Sequence, residues 1–411
     1  RAVHAVCRRR PLRRAHAGAS VLSRVPISAI DTDGDAVVIR LLRPFASLPA
    51  FLVNYSTVIL APASFDAQGR VRQVIGTGAF RILEATPPFH VDMARFDHWW
   101  GGRAGVARAT YLSVGRGETR ALMALSGQAD LTISVLPVFV DRLRKSPDLS
   151  LDIVTIPRTR ILKLNLADPK FADLRVRRAI SLAIDRQSIA SALFRTPALA
   201  ATQLLPPSID GWHAPGMPPL RHDPREARAL LAAAGWTAGP DGIVQRDGQR
   251  FAIELLTYFN WPELPPLATA LQAQLRDVGI DASVSVGNSS DIVARHRDGT
   301  LSAGLASRNY GFTPDPLAAL LQDFGPDGGD WGATGWHDAE LLRLQQEMSG
   351  IADPARRRPL QERAAAIIHR DLPVIPIIWS DVAVVSNRRI VGAQADPFEI
   401  NFHIADIRWR R

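Results

Sequence analysis

Two consecutive helix signals in the middle of the chain narrow the choice of fold more than any other feature. Residues 171–184 read FADLRVRRAISLAI. Asp173 sits where a short acceptor side chain can satisfy the open N–H groups of a first helical turn. Val176, Ile180 and Ala183 or Ile184 then repeat along one face. Asp185 opens a second helix over Arg186–Leu193. Around this pair, strand-like and helix-like stretches alternate. Strands are expected at 131–136, 151–156, 160–166, 251–257, 280–286 and 374–378. Helices are expected at 119–126, 138–143, 227–234, 264–278, 336–348 and 354–370. Alternation of this kind fits mixed α/β layers, not a helical bundle or a sandwich. Asp223-Pro224 caps the 227–234 helix, and Trp236 reads as a core plug beneath its end. Trp212 falls in the proline-rich stretch 206–219, read as a surface loop.

The earlier part of the chain is organised around residues 76–130. It opens with Gly76-Thr77-Gly78-Ala79-Phe80-Arg81-Ile82, where the two glycines are expected to give a tight turn. It is not a nucleotide loop. The third glycine of GxGxxG would fall at Arg81, and a strand follows, not a helix N-terminus. A hairpin, Trp99-Trp100-Gly101-Gly102, a strand near Tyr111 and the Gly127-Gln128-Ala129-Asp130 segment come next. Upstream, residues 35–42 and Val58–Leu60 read as strands.

Bulk properties exclude several classes. A length of 411 residues allows two or three domains. Net charge is +9, but the basic residues are scattered outside the clusters Arg8–Arg10 with Arg13 and Arg14, and Arg356–Arg358. Aromatics do not interleave with basic runs as a strand-binding groove requires, so no nucleic-acid partner is expected. Cys7 is the only cysteine, which excludes an intrachain disulfide and any CxxC site. No apolar run approaches the length of a membrane helix. HExxH, GxSxG and kinase motifs are absent, and the ten histidines are dispersed. No catalytic residue, metal site or cofactor is therefore expected.

The ordered motifs GTGAFRI, DHWWGG and GQAD, followed by DLRVRRAISLAIDR and DPREARALLAAAGW, resemble the family 5 solute-binding proteins of ABC importers, the peptide- and nickel-binding group. The motif positions that carry the likeness are Gly76, Thr77, Gly78, Trp100, Gly101, Asp130, Arg177, Asp185 and Asp315. Arg175, Arg177 and Arg178 are read as solvated or salt-bridged arginines on the polar side of a helix, and Asp315 as a helix cap. The resemblance implies an α/β, two-lobed periplasmic-binding-protein-like fold of class II, its lobes joined by hinge strands around a ligand cleft. The expected division is an unassigned basic segment at 1–18, a first lobe at 19–160, a second lobe at 161–373 and a return to the first lobe at 374–411. The family carries more residues before its GTG turn than the 75 found here. The chain is therefore expected to be N-terminally truncated, with open edge strands and uncovered apolar area in the first lobe, and to be poorly soluble or weakly folded.

The implied function is capture of a peptide, nickel chelate or related small solute outside the inner membrane, and its delivery to an ABC permease and ATPase complex. The expected protein is a periplasmic or extracytoplasmic monomer, anchored if a lipidated signal precedes it. A sensor or chaperone-like module on the same lobes is the alternative. Many peptide binders of the family carry an Asp that holds the ligand's amino group, and Phe312 stands in its place. Tyr310-Gly311-Phe312-Thr313-Pro314-Asp315-Pro316 is closer to the nickel-type pattern. Arg308, Tyr310 and Phe312 are assigned to the cleft, with packing at a helix start as the competing role of the two aromatics. Trp379 either faces the cleft or belongs to the core.

Overall fold

The computed structural model describes Leu22 and residues 25–34, 36–325 and 329–411. The expected basic segment at 1–18 lies outside them. The chain forms two compact units. Unit 1 holds the residues up to Val154 together with Val382–Arg411, and unit 2 is Thr155–Asp381. Both crossings fall inside long strands, whereas the sequence places the boundaries at 160/161 and 373/374.

Unit 1 begins with the hairpin β1 (Ile27–Asp33) and β2 (Ala36–Leu41), with Ile30 opposite Ile39. The short helix α1 (Leu48–Leu52) buries Phe51 against Phe45, ring centroids 5.2 Å apart. An antiparallel meander follows: β3 (Phe80–Thr86), β4 (His90–Arg95) and β5 (Arg108–Leu112), with Met93 paired to both Ile82 and Ala109. Next come α2 (Gly117–Leu125), β6 (Leu131–Ile133) and α3 (Pro137–Arg144). Val58–Leu60 is not a strand. Val58 and Ile59 are exposed, so no partner surface favours pairing there. The 131–136 strand stops at Ile133, because Ser134 takes a positive φ of 55° and breaks the extended backbone.

The strands expected at 151–156 and 160–166 are one strand, β7 (Leu149–Leu164). Pro157 punctuates the sequence but not the strand. Its carbonyl accepts from Tyr310 N–H at 2.6 Å, so only the donor it lacks is missing from the pairing.

Unit 2 continues with α4 (Pro169–Ala172), α5 (Leu174–Ala183), α6 (Arg186–Phe194) and α7 (Pro224–Ala233). Asp173, Asp185 and Asp223 cap α5, α6 and α7 as the sequence indicates, accepting from the N–H groups of Arg175, Ser188 and Glu226. A small meander, β8 (Thr237–Ala238), β9 (Val244–Arg246) and β10 (Gln249–Arg250), leads into β11 (Ala252–Tyr258), α8 (Leu264–Asp277), β12 (Asp281–Gly287), α9 (Ser289–Arg297) and β13 (Ala303–Asn309). Then follow α10 (Leu317–Asp323), α11 (Ala339–Gly350), α12 (Pro354–Asp371) and β14 (Val374–Asn387). The chain returns to unit 1 for the pair β15 (Ile390–Val391) and β16 (Arg408–Trp409).

The unit 2 sheet has the order β12-β11-β13-β7-β14. β11 is parallel to both β12 and β13, and β13 is antiparallel to β7. Parallel neighbours require crossovers, which α8 and α9 supply. α8 buries Leu264, Leu267, Ala268, Leu271 and Leu275, the i, i+3, i+4, i+7 pattern of a one-sided helix. β13 is buried along nearly its whole length, as a central strand covered on both faces must be. Trp236 is the core plug expected of it, its ring 4.4 Å from that of Phe251. Trp212 is not on a surface loop. It is buried against the main core, because its loop folds inward over α12 residues.

Candidate functional site

In an open α/β sheet, the carboxyl ends of parallel strands release the chain into loops at one edge, and ligands bind there. β11, β12 and β13 run the same way, so their ends share an edge. β7 pairs Arg158 with Asn309, the last residue of β13, and thereby brings its own Arg158 and Arg160 to that edge. Among the described residues, the exposed large hydrophobic side chains of unit 2 are Phe259 (61%), Val286 (48%) and Phe312 (41%). Phe259 follows β11 directly, Val286 is next to last in β12, and Phe312 follows β13. A unit whose other large apolar side chains are buried or partly buried leaves three exposed at one end of three adjacent strands.

Polar groups converge on the same edge. The Arg158 guanidinium lies 4.4 Å from the centroid of the Trp261 ring, a cation–π contact on a half-buried pair. The Arg160 guanidinium is buried. Its Nη2 donates to Glu263 Oε1 at 2.5 Å, and its Nη1 donates to Ser380 Oγ at 2.9 Å. Its plane also lies over Phe194 at 4.5 Å. Glu263 thus neutralises Arg160. The Tyr258 hydroxyl accepts from Ser307 N–H at 3.0 Å, and burial raises its pKa. Asp381 ends the unit, and burial raises its carboxyl pKa.

The residues assigned from sequence divide between this edge and the interior. Phe312 presents its ring at the edge, on a turn braced from both sides. Asn309 Oδ1 accepts from Gly311 N–H at 2.6 Å, and Thr313 Oγ1 donates to the Asp315 carbonyl at 2.7 Å. Asp315 lies one residue before the cap position, which Pro316 holds; its Oδ1 still accepts from Leu317 N–H at 3.0 Å, while Oδ2 takes Arg357 Nη2 at 2.7 Å. Arg308 points into the protein. Its Nε and Nη2 grip both oxygens of the fully buried Asp323 at 2.6 and 2.8 Å. Tyr310 is fully buried, its ring centroid 5.7 Å from the Arg308 guanidinium, and burial holds its hydroxyl well above the ordinary range. Trp379 takes the core alternative. It is buried, its indole N–H donates to the Gln203 carbonyl at 3.0 Å, and the His213 ring meets it edge-on at 5.5 Å.

The motif positions serve packing. A Cβ on Gly76 or Gly78 would meet nothing within 4 Å, and neither residue has positive φ, so that turn does not need glycine. Gly101 is different, since a Cβ there would lie 2.5 Å from the Trp99 ring. The exposed Trp100 donates its indole N–H to the Thr77 carbonyl at 3.1 Å, which ties the two motifs together. Asp130 pairs with Arg389, and its carbonyl accepts from Asn387 N–H at 2.8 Å at the end of β14. Arg177 is not solvated. It is buried and donates to the carbonyls of Phe171, Ala172 and Asp371 at 2.8–2.9 Å, closing the end of α4. The solvated, salt-bridged description fits Arg175, which pairs with Asp173.

Sequence reasoning missed Arg158, Phe259, Trp261 and Glu263. A signal was present. Tyr258-Phe259-Asn260-Trp261 puts three aromatics at the end of a strand and in the turn that leads to the next helix. Inside unit 2, a cavity of about 10 Å³ lined by Gln203, Leu204, Trp212 and Leu320 holds no more than one water. Among the described residues, no three His, Cys, Asp or Glu side chains gather as metal ligands.

Comparison with known proteins places this geometry. The model of the bacterial extracellular solute-binding proteins, family 5, matches residues 10–331. The nickel-binding periplasmic protein of Escherichia coli (strain K12) is 29% identical over 339 residues, 80% of this chain and 64% of that protein. The chain thus spans less than two thirds of that relative's length. The glutathione-binding protein GsiB of Salmonella paratyphi A is 25% identical over 373 residues, 88% of this chain and 70% of that protein. Among solved structures, NikA from Brucella suis in complex with Fe(III)-EDTA superposes with a TM-score of 0.82 at 24% identity, over 95% of this chain and 80% of that one. The oligopeptide-binding protein AppA from Bacillus subtilis, in complex with a nonapeptide, gives 0.79 at 19% over 96% and 80%. These likenesses give the fold, an α/β periplasmic-binding-protein-like fold of class II. The chain belongs to family 5 of the bacterial extracellular solute-binding proteins.

Proposed function

We propose that the protein is the solute-binding component of an ABC import system, a periplasmic or extracytoplasmic monomer that hands a small solute to a membrane permease and its ATPase. It makes and breaks no bond in that solute. Among the described residues, no helix is long and apolar enough to cross a membrane. The observation that carries the reading is the placement of Phe259, Val286 and Phe312 at the carboxyl ends of three adjacent strands, beside Arg158 and Trp261.

The solute class follows from what that edge offers. Phe312 gives a ligand ammonium an aromatic face where a carboxylate would hold it more strongly. Glu263 is committed to Arg160. Arg158, half-buried over Trp261, adds a cation to this edge, whereas Arg308, to which the sequence assigned the anion, is locked on Asp323. This favours a nickel chelate or another anionic small solute over a peptide with a free amino terminus. Any metal would be held through its chelator. Native mass spectrometry of the purified protein, with nickel–histidine and with a mixed peptide pool that includes glutathione, tests the class. A retained nickel adduct supports it. Retention of peptides with a free amino group alone, glutathione included, would overturn the assignment, and retention of nothing would count against a solute-binding role. Arg158→Ala and Phe259→Ala are expected to weaken retention at unchanged thermal stability. Normal retention by both variants would move the site away from this edge.

A further inference from the structure

A second group of titratable side chains lies inside unit 2, and the solute-binding edge does not use it. Lys163 on β7 is fully buried. Its Nζ donates to the Asp330 carbonyl at 2.6 Å and lies 3.2 Å from His296 Nδ1 on α9. The same Nδ1 is 2.8 Å from Thr334 Oγ1. Asp330 is in turn gripped by Arg297, Nε and Nη2 to its two carboxylate oxygens at 2.8 and 2.7 Å. Lys163 and His296 therefore hold the two ends of the Asp330–Thr334 segment. The backbone adds two ties, Leu166 N–H to the Thr334 carbonyl and Ala333 N–H to the Asp323 carbonyl.

An ammonium has only donors, and a doubly protonated imidazole has only donors. At 3.2 Å, Nζ and Nδ1 can share a hydrogen bond only if one of them offers a lone pair. We propose that Lys163 and His296 hold at most one proton in excess of their neutral forms, and that this contact is an acid-sensitive latch on the Asp330–Thr334 segment. A further proton sets two cations against each other and releases the side-chain ties.

The charges facing the pair come from every element around it. Asp323 on α10 and Asp330 in the segment favour a first positive charge, while Arg308 on β13 and Arg297 on α9 oppose a second. Burial is the largest influence on both groups. It lowers the Lys163 amine to about 7. Burial, then the neighbouring Lys163, lowers the imidazole to about 4. Both bases are depressed below their unfolded values of 10.5 and 6.5. The unfolded chain therefore binds more protons across 4–6.5 and 7–10.5, and in both windows the burial of this pair makes stability rise with pH.

The test is NMR of the full chain carrying ¹⁵N-labelled histidine. At pH 7, His296 is expected to show a bare Nδ1 and a protonated Nε2, and to stay neutral at pH 5.5. A midpoint at the ordinary ~6.5 would overturn the proposal, whereas Nδ1–H at pH 7 would support it with Lys163 as the neutral partner. Amide exchange at Ala333 and Thr334, corrected for its intrinsic rate, is expected to speed by up to about tenfold per pH unit below the second protonation. His296→Gln, which keeps an acceptor but cannot titrate, should abolish that acceleration. Equal acceleration in the variant would also overturn it. Lys163→Met should return His296 towards its ordinary titration. If that variant does not fold, the measurements on the natural sequence decide alone.

Discussion

Unit 2 and unit 1 treat apolar surface in opposite ways. Unit 2 encloses one continuous core that runs from Ile161 through α5, α8 and β13 to Trp379. Its exposed large apolar side chains gather at one sheet edge. Unit 1 has small separate clusters, one of Ala121, Ala124, Val135, Leu143 and Leu149 with Val385, another of Val106, Ile390 and Ile407. Leu42, Tyr55, Val58, Ile59, Leu83, Phe89 and Trp100 are all exposed there, spread over several elements. β3 is exposed along nearly its whole length. An exposed aromatic is therefore informative in unit 2, where it is rare, and uninformative in unit 1, where it is common.

The contrast can be broken by experiment. The largest effect should come from Arg308→Ala, which strands the fully buried Asp323 and should destabilise unit 2 by about 3–5 kcal/mol in urea unfolding. A small stability loss with a large loss of solute affinity would instead return Arg308 to the binding site. Gly105→Ala comes next. In unit 1 a Cβ there would lie 2.5 Å from the Ile407 carbonyl oxygen, and a backbone shift of that kind costs about 1–3 kcal/mol. If it costs nothing, the contact between the 105 loop and β16 is looser than drawn. Asp223→Ala should cost about 1 kcal/mol through the lost cap on α7, read as a lower urea midpoint. Leu83→Ser in unit 1 should move stability by less than about 0.5 kcal/mol and lower binding of an apolar dye. A loss above 2 kcal/mol would mean that β3 is covered in solution and that the contrast between the units is smaller than it looks.

Much of the fold was legible because its signals are local. Asp173, Asp185 and Asp223 announce their helices by a side chain that reaches only two or three residues along. The repeat in Leu264–Asp277 declares its buried face without reference to any partner. Errors arose where a local signal met a distant partner. Two strands are expected at 151–156 and 160–166, but β7 runs through the interval because β13 pairs alongside. Val58–Leu60 has strand-forming residues and no strand to join.

The candidate binding edge divides along the same line. The sequence alone marked the 308–316 turn as unusual and put Phe312 where other members carry a carboxylate. It could not decide which way each side chain points. Arg308 and Phe312 are four residues apart, yet one is locked on Asp323 and the other is exposed. The choice is made by Asp323, fifteen residues on, whose buried carboxylate takes the Arg308 guanidinium. Composition, caps and periodicity are properties of neighbouring residues, and the sequence states them directly. Burial and charge pairing depend on which distant segments come together, so only the tertiary structure could show that Arg308 is locked on Asp323 while Phe312 stays exposed.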